Sequence, residues 1–318
     1  MLVGYSLSPG GLLFPWHIGT LACLSSNGAL TDSNPLAGSS AGAIAVTSHG
    51  AKVSPEQAIE ATVRMSDTCQ SEYGSARGNL LPLLKKELNE ILDDDVHRVL
   101  NEREGFVGVA YKEIFPVNRP VLDTHFDDKD HVIDAVCNSS MFPFFATNWP
   151  CRIARKSDNR KWNLPRVAVD GYFSVDRDRF GCPDFEMEHA RATEKNLLNS
   201  EDTKVNEENT NNVNLSARKV ERTVTISVFP HDAIGITASD SHDQISPEID
   251  ANNQTDQLSN LFRLATQCAT RKEYYQLYED GWKDAERWLK EEEQRKWGDT
   301  ATERRNIIKA VIEAKDLN

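Results

Sequence analysis

The pattern of hydrophobic and polar positions predicts two strand, turn and helix units at the start of the chain. Residues 2–7 (LVGYSL) form a short apolar run that is typical of a buried strand, and the S-P-G-G that follows is typical of a turn. An apolar stretch of helical length continues from about Phe14 to Ser26. A second unit leads from Pro35 through Gly38 into a small-residue helix. Two such units in succession predict a parallel α/β sheet.

Further helices and strands follow along the chain. Ser54 is a capping residue, Pro55 suits a first helical position and Gln57 stands three residues after the cap, so we expect a helix to begin here. A second helix is expected from about Leu80 to Asp94, because its leucine and isoleucine residues fall on one face. Strand-like runs lie at 106–111, 119–123, 165–169 and 222–229.

Two polar stretches divide the second half of the chain. Residues from about 186 to 218 are rich in Asn and Glu and poor in aromatics, which predicts a disordered insertion in a main domain of residues 1–235. A polar loop at 236–256 then precedes a helical region at 257–318. We expect the amphipathic stripe of this region to pack on the main domain rather than to enter a membrane; the stripe comprises Leu277, Tyr278, Trp282, Ala285, Trp288 and Leu289.

Composition narrows the classes of function. The formal net charge of -13 argues against nucleic acid as a partner and against electrostatic docking on anionic membranes. The six cysteines contain no C-x-x-C pair and the histidines are scattered, so we expect no disulfide framework, metal site or cofactor. No apolar stretch approaches the roughly 20 residues that span a bilayer. A cytoplasmic protein is expected, with an upstream plastid-targeting segment left as an alternative.

Gly38-Ser39-Ser40-Ala41-Gly42 matches the G-x-S-x-G pattern of a nucleophile elbow. In that motif the glycines permit a sharp turn between a strand and a helix, which places a strained serine at the helix N-terminus. The preceding strand and the following small-residue helix fit this context. Ser39 is an alternative, but only Ser40 is centred between both glycines. The competing structural interpretation is that small residues simply pack a helix onto the sheet.

A serine nucleophile needs a base within hydrogen-bond reach, and the sequence offers two kinds. In V-A-V-D-G-Y-F at 167–173, Asp170 follows an apolar strand and precedes a glycine turn, which places it at the carboxyl edge of the sheet. His231 and His242 are the alternatives, in an order that would suit a Ser-Asp-His triad. An ordinary Asp-Gly turn would explain Asp170 without catalysis, and a structural role would explain either histidine.

Taken together, four segments resemble the motifs of the patatin-like phospholipase family, in the family's order. The similarity is closest to the branch that contains adipose triglyceride lipase and adiponutrin, and it extends to RTVTISVFP and to the C-terminal helical stretch. It implies a three-layer α/β/α sandwich with a mostly parallel central sheet and a helical C-terminal extension. The first segment is the glycine-rich loop Pro9-Gly10-Gly11, followed by 16–21 (WHIGTL). The other three are Gly38 to Gly42, the small-residue segment 135–143 (AVCNSSMFP) and Asp170-Gly171.

The resemblance also implies the chemistry of the site. Ser40 would be the nucleophile and Asp170 its only partner, in a dyad without histidine. The amides of Gly10, Gly11 and Ala41 would stabilise the oxyanion. Gly38 and Gly42 would shape the elbow. The implied activity is hydrolysis of fatty-acyl esters, of the triacylglycerol lipase or phospholipase A type, without a metal or cofactor, with a lipid ester as substrate and peripheral contact with a membrane or lipid-droplet surface.

The chain departs from the family pattern in the glycine-rich loop. Pro9 replaces a glycine, and Leu13 and Phe14 replace a basic residue and its glycine. Losing one oxyanion donor typically costs roughly 100- to 1,000-fold in rate, so a catalytically weak lipid-binding or regulatory protein stays open as an alternative. The two histidines keep a Ser-Asp-His esterase open as another. Apolar residues that could line an acyl channel or a lipid-facing rim are Leu12, Leu13, Phe14, Trp16, Phe142, Phe144, Phe145 and Trp149.

Overall fold

A computed structural model describes residues 1–154, 165–186, 219–230, 243–250 and 252–315, with side chains up to residue 295. The predicted disordered insertion therefore lies outside the described residues except at its first position. Residues 236–242 and 251 of the polar loop and both alternative bases, His231 and His242, lie outside them as well. In the described part of the chain, no helix combines the length and the apolar character that a membrane crossing requires.

The centre of the molecule is an eight-stranded mixed sheet in the order β5-β6-β3-β2-β1-β7-β8, with β4 paired to β3. Five strands pair in parallel, because each is reached by a crossover connection. These are β1 (Val3–Leu7), β2 (Leu36–Ser39), β3 (Val107–Phe115), β7 (Arg222–Ile226) and β8 (Gln244–Ile245).

The remaining three strands pair antiparallel on and beside β3: β4 (Arg119–Asp123), β5 (Arg152–Ala154) and β6 (Arg166–Val169).

Helices flank this sheet, which confirms the predicted α/β fold. They are α1 (Phe14–Ser26), α2 (Ala41–Gly50), α3 (Pro55–Thr68), α4 (Leu80–Ile91), α5 (Val96–Glu102), α6 (Lys129–Ser139), α7 (Gln254–Thr266) and α8 (Arg271–Lys315). The main core lies between them and the sheet face that carries Tyr5, Leu7 and Leu36. On the opposite face, Ala37 packs in a small cluster with Phe185.

Several elements follow directly from local sequence rules. α1 begins at Phe14 and ends at Ser26, as its apolar length predicts. The capping box that starts α3 is confirmed: the Gln57 amide donates to the Ser54 side chain at 3.2 Å, and the Ser54 amide donates to the Gln57 side chain at 3.2 Å. By contrast, α6 was not predicted from the pattern, because its β-branched Val132 and Ile133 favour strands over helices.

The C-terminal helix α8 lies directly against α1. A Cβ atom on Gly19 would come within 1.9 Å of the Tyr278 carbonyl oxygen, and one on Gly281 within 2.0 Å of the Trp16 carbonyl oxygen. The backbones of the two helices can approach this closely only because both positions are glycine. The buried Trp16 indole donates a 2.9 Å hydrogen bond to Asp284, so the contact between the helices is polar as well as apolar.

Candidate functional site

Ser40 lies at a sharp turn between the end of β2 and the start of α2. Its backbone dihedrals are φ 52° and ψ -117°, a conformation that a residue with a Cβ atom rarely adopts. Such a backbone costs on the order of 1–3 kcal/mol and persists only where the surroundings enforce it. The local geometry is therefore that of the predicted nucleophile elbow, with the serine held at the N-terminus of a helix.

The two glycines of the motif are required by close backbone contacts. A Cβ atom on Gly38 would lie 2.3 Å from the carbonyl oxygen of Gly42. One on Gly42 would lie 2.6 Å from the Leu7 carbonyl oxygen and 2.7 Å from that of Ser8. All three distances are far shorter than any van der Waals contact of a methyl group. The elbow thus brings α2 onto β1 and β2 at a separation that only glycine permits.

Ser139 fixes the backbone of the elbow from the end of α6. Its hydroxyl accepts a 2.8 Å hydrogen bond from the Ser40 amide and donates a 2.5 Å hydrogen bond to the Ala110 carbonyl oxygen on β3. The Ser139 side chain is fully buried. The strained residue is therefore tied to the neighbouring strand through one hydroxyl group.

The pairing of β3 explains why Asp170 lies beside Ser40. Ala110 pairs with Ser39 of β2, and Lys112 pairs with Val169 of β6. On its other side, β3 pairs with β4 at both Ala110 and Lys112. β2 and β6 therefore lie on the same side of β3, one after the other. The two strands run in opposite directions, and their carboxyl ends meet. The residues that directly follow these ends are Ser40 and Asp170.

Gly171 closes the gap between the two strand ends. A Cβ atom at this position would lie 2.4 Å from the Ala110 carbonyl oxygen and 2.7 Å from the Ser39 Cβ atom. The Asp170 amide donates a 3.0 Å hydrogen bond to the Met141 carbonyl oxygen. The Asp-Gly pair is thus more than a surface turn, because it packs against the residue that precedes the candidate nucleophile.

The carboxyl group of Asp170 is completely buried. Burial raises its pKa from 3.8 to about 7, and the Tyr172 amide and the nearby Ser40 hydroxyl partly offset this shift. Oδ1 accepts a 2.9 Å hydrogen bond from the Tyr172 amide. Within the described part of the chain, Oδ2 has no hydrogen bond of regular geometry, so the Ser40 hydroxyl is near the carboxylate without being aligned to it.

The glycine-rich loop after β1 lies at the same site. Gly11 has a positive φ of 57°, and a Cβ atom there would lie 2.3 Å from the Ala265 carbonyl oxygen of α7. The hydrogen bonds of the described residues leave the amides of Gly10, Gly11 and Ala41 without an acceptor. Leu13 and Phe14 of this loop are buried in the core. Three amide donors at one site can stabilise a negatively charged oxygen.

Ser40 opens into a cavity of about 420 Å³. Gly10, Gly11 and Ala41 line it together with Ser40, so the candidate nucleophile and the three residues with unpaired amides border one space. Most of the other lining is aliphatic or aromatic, and none of the described residues that line the cavity carries a charged side chain. This environment suits an uncharged, apolar group such as a fatty-acyl chain.

The structure divides the apolar residues that the sequence offered for an acyl channel. Leu12, Phe142 and Phe145 line the cavity. Leu13 and Trp16 are buried in the core instead, and Phe14 lines a smaller neighbouring cavity of about 40 Å³. Phe144 and Trp149 are exposed. Sequence hydrophobicity alone does not separate these groups, because core, cavity and surface residues are equally apolar.

Two residues of the site carry no recognisable signal of their roles in the sequence. Ser139 belongs to the small-residue segment 135–143, but nothing in the pattern distinguishes it from Ser140. Tyr172 supplies the amide that binds Asp170, and its ring lines the cavity. The Tyr172 amide binds a residue two positions away, whereas the role of Ser139 depends on its contact with β3, which is distant in the sequence.

Neither a metal centre nor a histidine base is found in the described part of the chain. No group of three or more His, Cys, Asp or Glu residues there could hold a metal ion. His17 is fully buried, its Nε2 lies 2.9 Å from the Ser8 carbonyl oxygen, and burial lowers its pKa to about 4. This histidine is a neutral core residue, and His231 and His242 are outside the described residues.

Comparison with known proteins links this geometry to one family. The patatin-like phospholipase family model matches residues 5–178, which is more than half of the chain and includes both Ser40 and Asp170. No curated protein sequence gives a significant match.

Two solved structures are similar to the chain. The crystal structure of VipD from Legionella pneumophila is 10% identical with a TM-score of 0.43, over 91% of this chain and 67% of VipD. The heterodimeric ExoU-SpcU complex from the type III secretion system of Pseudomonas aeruginosa is 14% identical with a TM-score of 0.38. That alignment covers 91% of this chain and 52% of the matched one, so the chain spans about half of its length.

Proposed function

Since the chain belongs to the patatin-like phospholipase family, a family of lipid acyl hydrolases, we propose that it cleaves fatty-acyl esters with Ser40 as nucleophile and Asp170 as general base. The observation that carries this proposal is the meeting of three features at one cavity. A strained serine opens into an apolar space, and a buried carboxyl group with a pKa of about 7 lies beside the serine. Three residues whose amides have no acceptor among the described residues line the same space.

The proposed reaction begins with transfer of the Ser40 hydroxyl proton to the free Oδ2 of Asp170. The serine oxygen attacks the ester carbonyl carbon, and the amides of Gly10, Gly11 and Ala41 stabilise the oxyanion of the tetrahedral intermediate. The carbon to alkoxide bond then breaks, and the leaving alcohol takes the proton from Asp170. In the second half, Asp170 takes a proton from the water molecule that attacks the acyl-enzyme carbonyl carbon. The bond between this carbon and the Ser40 oxygen then breaks, the serine oxygen takes the proton from Asp170, and the fatty acid leaves.

The environment of Asp170 suits both directions of this proton transfer. A carboxylate of ordinary acidity would be a weak base, whereas a pKa of about 7 lets the same group accept and return a proton near neutral pH. The Tyr172 amide holds Oδ1 and leaves Oδ2 for the reaction. The N-terminus of α2 adds a positive partial charge at Ser40, which favours the developing negative charge.

We propose triacylglycerol or phospholipid esters as the substrates, and a place near adipose triglyceride lipase and adiponutrin within the family. The support for this branch is the sequence similarity in 222–230 and in the C-terminal helical stretch. The support for a lipid ester is the apolar lining of the cavity, which includes Leu12, Phe142 and Phe145.

A fluorophosphonate probe tests the proposal, because it labels only an activated serine. We expect labelling and ester hydrolysis in the wild type and neither in Ser40→Ala. Ser48→Ala is a matched control on the same helix: its hydroxyl is buried without a hydrogen-bond partner among the described residues, so its removal should leave labelling intact. An unlabelled wild type would favour a lipid-binding or regulatory protein without catalysis.

The same assay separates the dyad from a Ser-Asp-His triad. If Asp170 is the base, His231→Ala and His242→Ala should each hydrolyse a soluble ester within a few-fold of the wild-type rate. A loss in either variant that approaches the loss in Ser40→Ala would instead identify that histidine as the base and contradict the dyad.

A further inference from the structure

A continuous row of aromatic side chains crosses the mouth of the cavity. Neighbouring ring centroids are 5.7, 6.3, 5.6, 5.9 and 4.8 Å apart, so each ring contacts the next. We call this row of side chains the aromatic rim. Its members in order are Phe173, Phe142, Tyr172, Phe180, Phe229 and Phe262.

The rim lines the cavity and is exposed to solvent mainly at its two ends, since Phe229 near the middle is buried. All of its members except Phe173 line the cavity. At the outer side, Phe142 is 41% exposed, Phe262 51% and Phe173 36%. Large aromatic side chains normally bury most of their area, so exposed aromatic side chains at both ends of the rim indicate an interaction surface.

The loop that follows Phe142 carries two further exposed aromatic residues. Phe144 is 54% exposed and Trp149 is 72% exposed. Phe144 has a positive φ of 58°, which is unfavourable for an aromatic residue. Hydrogen bonds enforce it: the Phe144 amide donates to the Trp149 carbonyl oxygen at 3.2 Å, and Arg77 Nε donates to the Phe144 carbonyl oxygen at 3.1 Å. The fold thus holds the Phe144 side chain in water at a cost in backbone energy.

We propose that the aromatic rim, together with Phe144 and Trp149, docks the protein on an uncharged lipid surface. This proposal rests on the proposed function, and it names the surface from which the site takes its substrate. The docking face is continuous with the cavity that leads to Ser40, since Phe142 and Phe262 belong to both. A lipid surface seated there would present acyl esters to the mouth, whereas a protein seated there would block it.

The distribution of charge favours an uncharged surface over an anionic one. The chain has a formal net charge of -13, so long-range electrostatics repel anionic lipids. The rim consists of aromatic side chains, and aromatic residues partition favourably into the interfacial layer of a bilayer. The driving force for docking is therefore burial of apolar area, which salt does not screen.

Flotation with phosphatidylcholine vesicles tests the proposal. The protein used is Ser40→Ala, so that binding is measured without turnover and independently of whether the serine is catalytic. We expect binding that persists at high salt and does not increase with added phosphatidylglycerol. Trp149→Ala should lower the partition constant by about tenfold, as expected for the loss of one large side chain from an apolar interface. Trp149→Phe should restore most of it.

Val117→Ala is the matched control, because Val117 is 54% exposed like Phe144 and lies in the turn between β3 and β4 outside the rim. It should bind vesicles as the parent protein does. Equal losses in Trp149→Ala and Val117→Ala would overturn the proposal, as would binding that requires anionic lipid and disappears in salt. A dimer that Trp149→Ala dissociates, without vesicle binding, would identify the surface as a protein interface and also overturn it.

Discussion

The two carboxyl oxygens of Asp170 differ in their surroundings. Oδ1 accepts a 2.9 Å hydrogen bond from the Tyr172 amide, and Oδ2 lacks a hydrogen bond of regular geometry among the described residues. Complete burial raises the pKa to about 7, because the ionised form loses its hydration. A carboxyl group in this state is costly for the fold and useful for proton transfer, and the two consequences can be measured separately.

The first consequence is a pH dependence of hydrolysis. Only ionised Asp170 can accept the Ser40 proton, so kcat/KM for a soluble ester should rise with pH and level off above a midpoint near 7. A pH profile of initial rates measures the midpoint. A rate that stays constant down to about pH 5 would contradict a raised pKa of the catalytic base, whereas the loss of activity in Asp170→Asn tests which residue the base is.

The second consequence is that Asp170→Asn should separate activity from stability. Asparagine still accepts the Tyr172 amide but takes up no proton, so hydrolysis should fall roughly 100- to 10,000-fold. The raised pKa means that the folded state binds the proton more tightly than the unfolded state. The wild type therefore loses stability as pH rises from 3.8 to about 7, and the variant does not.

Thermal unfolding at two pH values tests the predicted direction of this change in stability with pH. At pH 8 the melting temperature of Asp170→Asn should equal or exceed that of the wild type, and at acidic pH the difference should vanish. A variant that is less stable at pH 8 would show that the carboxylate stabilises the fold.

Ser139 is a positioning residue, because it touches Ser40 only through the backbone amide. Ser139→Ala leaves this amide without its acceptor and releases the strained elbow from β3, so we expect kcat to fall about tenfold or more. KM should change little, since the cavity lining stays intact. Steady-state kinetics on a soluble ester gives both values. A rise in KM at constant kcat would point to altered binding instead of altered positioning.

At the scale of elements, the packing of α2 on β1 and β2 depends on Gly42. A Cβ atom at Gly42 would lie 2.6 Å from the Leu7 carbonyl oxygen, so Gly42→Ala must push α2 away from the sheet. Overpacking of this kind costs about 1–3 kcal/mol of unfolding free energy, which urea denaturation can measure. Gly28→Asn is the control, because Gly28 has open space around it and a φ of 71° that asparagine tolerates. An equal loss in both variants would refute the steric argument.

At the scale of the whole molecule, we propose that the helical C-terminal region at 257–318 and the main domain at 1–235 fold as one unit. The support is the contact of α8 with α1, where the Trp16 indole donates to Asp284 at 2.9 Å. Asp284 is buried, and it also pairs with Arg287 at 2.8 Å. A carboxylate in this position joins the two segments through a buried hydrogen bond.

Asp284→Ala should therefore lower the unfolding free energy of the entire chain by about 1–3 kcal/mol, because the Trp16 indole loses its acceptor. Asp280→Ala is the matched control on the same helix: its side chain is 46% exposed, and its effect should stay within about 0.5 kcal/mol. Calorimetry should show one transition that shifts as a whole. Two transitions, of which only one moves, would show that the C-terminal region unfolds separately.

Much of the fold was predictable from the sequence, because several elements depend on local rules. Apolar length predicts β1 and α1, a capping box predicts the start of α3, and the spacing of two glycines predicts the turn at Ser40. Each of these signals spans at most a few turns of chain, so no distant contact is needed to interpret it.

Tertiary structure alone decided which distant groups accompany Ser40. The sequence by itself determined the strand, the sharp turn at Ser40 and a short set of candidate bases. The family resemblance singled out Asp170, but the local pattern left it equivalent to an ordinary Asp-Gly turn and left Ser139 equivalent to Ser140. Asp170 lies beside Ser40 because β2 and β6 pair end to end along the same side of β3. The physical reason is that strand register, burial and the pKa of a carboxyl group depend on residues far apart in the chain, and local sequence patterns contain no record of those neighbours.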